Sequence, residues 1–352
     1  MNTSAWTLNA SHPLAQRDRA RRVQLMLGLA IAALVLVVAG LMVGSEGWSW
    51  ATLRADLASA QAELIIGQIR APRTLGALAV GALLGLAGGL AQGLFRNPLA
   101  DPFLLGSAAG ASFAVVVVLA AGTLAGHSIA VTHAAWLTQL GLASAAFIGA
   151  LAGVLLTLVL ARGAHHTLRL LLAGVVVGVV LGAGSDLLTS WSPEALRGRQ
   201  VFSLGSTGFL GWPSVALLAV GLVIAVPLAW RLSRALDALS LGEDSARSLG
   251  LPLPRLRLAL VMLLAACTGL AVSQAGMVAF VGLAAPHLVK RFAPAPQGFT
   301  LMASAAAGGV LLLAADVLAR GLIAPQELPV GVLTAVLGGG YLLWLLHRRA
   351  WS

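Results

Sequence analysis

Apolar residues fill most of this chain in long runs, separated by short polar stretches. The runs lie near 23–43, 62–95, 103–122, 136–160, 170–190, 211–230, 256–273, 276–288, 300–318 and 328–346. A helix of about 20 apolar residues crosses the hydrocarbon of a bilayer, so the pattern predicts ten membrane-spanning helices. The runs at 103–122 and 276–288 are short and fit re-entrant segments as well as full crossings. Asn97-Pro98 and Asp101-Pro102 predict a turn after the second span. Ser192-Pro193-Glu194 predicts the start of a short helix over about 193–200. There Ser caps, Pro takes the first position and Glu suits the positive end of the helix dipole.

One polar stretch in the second half, 239–251 (LSLGEDSARSLGL), lies between two long apolar runs and has the form of a helix. Glu243 and Asp244 fall in its first turn, Arg247 is four residues after Glu243, Gly250 can end it, and Pro252 and Pro254 stop it. An ordered amphipathic piece between membrane spans predicts a docking site. The organisation expected is a polar tail (1–22), one membrane domain (23–347) with docking helices at about 236–251, and a short tail (348–352).

Composition agrees with a lipid-embedded fold. Of the 352 residues 59% are apolar and 10% charged, against roughly 25% charged in soluble domains. Forty-one glycines suit helices that approach closely. The net charge of +10 does not indicate nucleic acid, because the basic residues are scattered between apolar runs. They report topology instead. With ten alternating spans and both termini inside, all but six of the 22 Lys and Arg residues fall in cytoplasmic segments. The six are Arg54, Arg70, Arg73, Arg197, Arg199 and Arg320.

The chain has a single lysine, Lys290, between Val289 and Arg291. It therefore has no G-x-x-x-x-G-K-[ST] loop, and any ATP-driven engine must sit on another chain. Asp186 and Asp316 stand near the outer ends of spans, and Asp316 is four residues before Arg320, within pairing reach. Two carboxylates near one interface do not form a proton relay across the bilayer. Arg70, Arg73 and Arg320 lie outside against the usual charge bias and offer a cationic docking surface for an acidic partner. Adjacent His165 and His166 diverge on a helix, and His287 follows Pro286, so no metal site is expected. Gly174, Gly178, Gly182 and Gly184 are either close-packing positions or the lining of a wide path. Cys267 excludes an intrachain disulfide.

Several segments match a known family in order: Arg70-Ala71-Pro72-Arg73-Thr74-Leu75; Gln92 and NPLADP at 97–102; LGEDSARSLGL at 241–251; FVGLAAPH at 280–287; ADVLAR at 315–320; and LPVGVLTAVLG at 328–338. The chain resembles the FecCD/BtuC-like permease subunits of bacterial ABC importers for iron–siderophore complexes, heme and cobalamin. The resemblance implies an all-α polytopic membrane protein of the inner membrane, with ten helices and the type II importer fold. It implies a homodimer, two ATPase subunits carrying ATP-Mg on the cytoplasmic side and a periplasmic binding protein outside. It makes 239–251 a coupling helix received by the ATPase, with Leu241, Gly242, Glu243, Asp244, Ala246, Arg247, Leu249 and Gly250 as its contact positions. Arg70, Arg73 and Arg320 match arginines that meet glutamates of the binding protein. The fifth span resembles the pathway lining, which points to Gly174, Gly178, Gly182, Asp186 and Ser190. Two departures put helix breaks in question: Gly276-Met277-Val278 stands where Gly-Pro-Ile is usual, and Gly338-Gly339-Gly340-Tyr341 where Gly-x-Pro-Phe is usual. Phe202-Ser203-Leu204-Gly205-Ser206 resembles the WSLGS-type segment of heme permeases, so heme is the expected cargo. A secondary transporter needs inverted repeats and midplane charges, and a membrane enzyme needs clustered acid–base or metal groups; neither pattern is evident.

Overall fold

The computed structural model of the chain describes residues 13–44, 63–124, 135–163 and 167–349. The expectations for residues 1–12, Arg54, His165, His166 and 350–352 lie outside the described residues.

All described regular structure is helical: α1 (Pro13–Met42), a π-helical turn (Glu63–Arg70) running into α2 (Ala71–Phe95), a 3-10 turn (Pro102–Leu105), α3 (Ser107–Leu124), α4 (Ala135–Leu160), α5 (Thr167–Trp191), α6 (Pro193–Leu204), α7 (Trp212–Ser240), α8 (Glu243–Ser248), α9 (Leu253–Ala275), α10 (Val281–Phe292), α11 (Gln297–Gly321) and α12 (Val330–Arg349). Among the described residues seven helices are long and apolar enough to cross a membrane: α1, α2 with its π-helical lead, α4, α5, α7, α9 and α11. Two shorter apolar helices, Ser107–Thr123 and Val330–Trp344, accompany them.

The bundle is built around α2, which packs against α7, α9, α10 and α11. Its sequence explains that position. Glycines at 81, 85 and 88 let neighbouring backbones come closer than a side chain would allow. A Cβ on Gly81 or Gly85 would run into α11 at Gly308 or Ser304, and one on Gly88 would run into the Gly282 carbonyl of α10. A second set, Gly110 on α3 against Gly149 and Gly153 on α4, joins another pair in the same way. Gly88→Ala is therefore expected to push α10 off α2 and to lower the thermal unfolding midpoint. Gly67→Ala, where nothing lies within 4 Å, is expected to leave the midpoint within a degree or two. Equal midpoints for the two variants would refute close packing as the role of Gly88.

Several boundaries differ from those the hydropathy predicts. The helix of α1 begins at Pro13, so Arg17, Arg19, Arg21 and Arg22 ride on its first turns rather than in a separate tail. Helix α7 continues through Ser240, because Arg231, Arg234 and Asp237 occupy helical turns beyond the apolar run. Residues 236–240 thus belong to α7, and within 236–251 only Glu243–Ser248 forms a separate helix, α8. The third apolar run opens with the 3-10 turn and becomes α-helical at Ser107. Residues 276–280 are not helical, and α10 runs Val281–Phe292 instead of over 276–288. The two missing prolines have opposite outcomes. Helix α9 still ends at Gly276, whose φ of +68 takes a left-handed turn open to glycine. By contrast α12 passes unbroken through Gly338, Gly339 and Gly340.

The turn at 96–102 forms as its Asn-Pro and Asp-Pro pairs predict. Asn97 Oδ1 accepts from the Leu99 N–H at 2.9 Å and Asp101 Oδ1 from the Phe103 N–H at 2.8 Å. Ser192 caps α6 by accepting from the Ala195 N–H at 3.2 Å. That helix extends to Leu204, past the expected end near 200. Across the fold, Asp237 at the end of α7 accepts from the Gln297 N–H at 2.9 Å and satisfies the start of α11.

Candidate functional site

Three places gather the residues singled out by the sequence. The first is α8. Gly242 (φ +108) and Gly250 (φ +74) set the turns before and after it. Its first turn carries Glu243 and Asp244, and Arg247 reaches back to both, with N–O separations of 3.7 and 3.5 Å. Ala246 is buried against the bundle, whereas Leu241 and Leu249 are 70% and 64% exposed. Two large apolar side chains beside an exposed Asp244 and Arg247 form a small amphipathic knob.

Glu243 has a further partner absent from the sequence reading: the guanidinium of Arg257, a nearly buried residue on the first turns of α9. Partial burial disfavours the charged Glu243 carboxyl. The hydrogen bond and charge of Arg257, with the charges of Arg247 and Arg96, outweigh it and hold the carboxyl below the usual range. A lowered carboxyl pKa keeps this tether charged at neutral pH, and the tether weakens only as pH falls through that lowered value. Glu243 thus ties the knob to α9. Arg257 gave no sequence signal, because its partner is 14 residues away and beyond helical spacing.

The second place is a cleft of about 490 Å³ between α3 and α5, closed at one end by α6 and Met277. Gly178 and Gly182 line it and have open space where a Cβ would stand. Gly174 also borders it but packs against the Leu104 carbonyl. The glycines of this span therefore divide between lining and packing. Asp186 and Ser190, grouped with them by sequence, are not in the lining. Asp186 pairs with Arg199, whose side chain does reach the cleft, and Ser190 donates back to the Leu187 carbonyl at 2.7 Å. Ser185, Ser203 and Met277 also stand in the wall, and the sequence reading assigned none of them to the lining.

The third place, at the other end of the bundle, holds Arg73 and Arg320 on Asp316, while Arg70, like Arg320, reaches the end of α1. Asp316 is fully buried. It accepts from Arg320 Nη2 at 2.6 Å, from Arg73 at 3.1 Å and from the Thr207 hydroxyl. The pairing of Asp316 with Arg320 follows from their i,i+4 spacing. Arg320 also donates to the Gly40 carbonyl at 2.9 Å, and Arg70 to the Leu41 carbonyl at 3.2 Å. These two guanidinium groups satisfy the end of α1, whose last carbonyls have no partner within their own helix. Arg320 is 3% exposed and Arg70 8%, so both point into the protein. Arg73 is turned further outward and also binds Glu327 at 2.9 Å.

Among the described residues no group of three or more His, Cys, Asp or Glu could hold a metal ion. Lys290 of α10 spends its ammonium on Gln92 Oε1 at 3.1 Å, while Gln92 Nε2 donates to the Leu283 carbonyl at 3.1 Å. Both therefore serve packing between α2 and α10.

Comparison with known proteins fits this architecture. The chain is 39% identical over 334 residues to the hemin transport system permease protein of Yersinia pestis, covering 93% of this chain and 97% of that one. It is 38% identical over 339 residues to the vitamin B12 import system permease protein of Salmonella paratyphi A, covering 96% and 98%. A solved structure described as an inward-facing conformation of an ABC transporter of the metal-chelate type superposes with a TM-score of 0.80 at 26% identity, over 92% of this chain and 99% of that one. The model of the FecCD transport family matches residues 32–348. A helical bundle of this size, a cleft walled by glycines and nearly full-length likeness to two importer permeases lead to one conclusion: the chain belongs to the FecCD transport family and is the membrane permease subunit of an ABC importer.

Proposed function

We propose that two copies of this chain form the pathway by which heme enters the cytoplasm, driven by two ATPase subunits inside and fed by a periplasmic binding protein outside. The two relatives named above carry hemin and vitamin B12 in their names at nearly equal identity, so the choice of cargo rests on a local feature. That feature is 202–206, FSLGS, which resembles the WSLGS segment of heme permeases and contributes Ser203 to the wall of the cleft.

The chain crosses the inner membrane ten times with both termini inside. Seven long apolar helices and two shorter ones support this reading, in which α10 is taken as the tenth, and the positive-inside bias supports the orientation. Gly178 and Gly182 line the path, with Gly174 setting its packing, and Asp186 and Ser190 flank it near its outer end. The α8 knob is the coupling element: Leu241, Asp244, Arg247 and Leu249 face the ATPase, while Gly242, Glu243, Ala246 and Gly250 shape and anchor it. Arg73, at 12% exposure the least buried of the three arginines, is the outermost member of the docking surface for the binding protein. Arg70 and Arg320 contribute positive potential from beneath it.

The test is reconstitution of the permease with its ATPase and binding protein in vesicles. ATP-dependent uptake is expected for heme and not for a ferric siderophore or cobalamin. Uptake of a siderophore or cobalamin without heme would overturn the cargo and keep the importer.

A further inference from the structure

Four charged side chains at the end opposite α8, Arg73, Asp316, Arg320 and Glu327, form a connected network, and one of them, Glu327, has no part in the proposed docking surface. Glu327 stands in the 322–329 connection between α11 and α12 and binds Arg73 Nη1 at 2.9 Å. The Nε and Nη2 of Arg73 hold Asp316 Oδ1, each at 3.1 Å. The guanidinium fork is thus shared between two carboxylates of different character. Asp316 is fully buried and bound by Arg320 and Thr207 as well, so it cannot leave. The Glu327 side chain is 39% exposed, and an ion pair with one exposed member is weak enough to exchange.

We propose that Glu327 is an internal stand-in for the acidic partner. It occupies the outward donor of Arg73 in the free permease and is displaced when a carboxylate of the binding protein docks. This rests on the reading of this end as the docking face. The physical case is competition for one donor: Nη1 is the part of Arg73 not committed to Asp316, and an incoming carboxylate both seeks it and repels Glu327. The exchange also has a mechanical consequence. Glu327 lies three residues before Val330, where α12 begins. Gly331 in the first turn of α12 packs against the carbonyls of Leu204 and Met277, and Met277 is part of the cleft wall. Releasing Glu327 removes a side-chain tie between α2 and the connection that leads into that contact. Docking is thereby linked to the wall of the path.

The experiment measures binding-protein affinity for the permease–ATPase complex in lipid nanodiscs, at low and at physiological salt. Glu327→Gln is expected to bind roughly three- to tenfold tighter, with steeper salt dependence, because the competing charge is gone. Glu327→Asp, which keeps the charge, is expected to stay within about twofold of the parent. Arg73→Gln is expected to weaken binding at low salt. Thermal midpoints identify any variant that misfolds; Arg73→Lys then replaces Arg73→Gln, since it keeps a cation beside Asp316 and removes the fork. Unchanged or weaker binding by Glu327→Gln, with Arg73 variants impaired, overturns the stand-in and leaves docking intact. Unchanged binding by the Arg73 variants at low salt overturns the docking face, and the stand-in with it.

Discussion

Replacing Asp316 by Ala is expected to destabilise the permease by about 3–5 kcal/mol, the usual consequence of removing one partner from a buried ion pair. The reason is what remains. Arg320 is 3% exposed; its Nη1 reaches carbonyls of Gly40 and Val43, and its Nη2 is held by the Asp316 carboxylate. Removing the carboxylate leaves that cation buried without its ion-pair partner, and Arg73 and Thr207 each lose a bond to Asp316 as well. The loss should appear as a large drop in thermal or denaturant midpoint in detergent or nanodiscs. A paired variant, Asp316→Leu with Arg320→Met, removes both charges and is expected to recover most of the loss, since an apolar pair of similar volume often matches a buried ion pair. A loss below about 1 kcal/mol for Asp316→Ala would mean that water reaches this end of the bundle and satisfies the arginines.

Charge reversal at Glu243 is the second large effect, and its readout is function. Glu243→Arg places a cation against Arg257 and near Arg96 and Arg247. The α8 knob then loses its tie to α9, and ATPase activity stimulated by the binding protein should fall by more than tenfold, about 1.4 kcal/mol or more of lost coupling. Arg257→Glu should do the same from the other side. The double exchange, Glu243→Arg with Arg257→Glu, is expected to restore part of the activity, which a merely structural loss at either site would not allow. Arg247→Glu should also uncouple, by altering the exposed side of the knob, and it should not be rescued by changes at 257. Normal uptake by both Glu243→Arg and Arg247→Glu would contradict a coupling role for α8. Parent-like thermal midpoints are needed to exclude unfolding, and Arg257→Met serves where Arg257→Glu fails to fold.

Much of this molecule was legible wherever the controlling physics is local. Ser192 capping α6, Asp316 with Arg320, Glu243 with Arg247 and the 97–102 turn all depend on residues within five positions of one another. Helix geometry fixes such distances in advance. Helix ends were less legible, because hydropathy reports where lipid replaces water and not where hydrogen bonding stops. Arg231, Arg234 and Asp237 are polar, yet α7 runs through them to Ser240. The absence of proline at Met277 was similarly misleading, since Gly276 alone supplies the backbone freedom that ends α9.

The sequence by itself determined that the chain is a membrane protein with glycine-rich spans, which side its charges favour, that it lacks a P-loop and that one short helix projects between spans. These follow from the cost of placing polar groups in hydrocarbon. It also carried the motifs that match the family. Only the tertiary structure decided which charges meet. Arg73 binds Asp316 across 243 positions and Glu327 across 254, and Arg257 reaches Glu243 from the next helix. Such pairs depend on how helices stack, and stacking is set by the summed fit of small residues such as Gly81, Gly85 and Gly88 against α10 and α11. For the same reason three arginines that look alike along the chain differ in the fold: two are committed to the end of α1, and Arg73 is shared between Asp316 and Glu327.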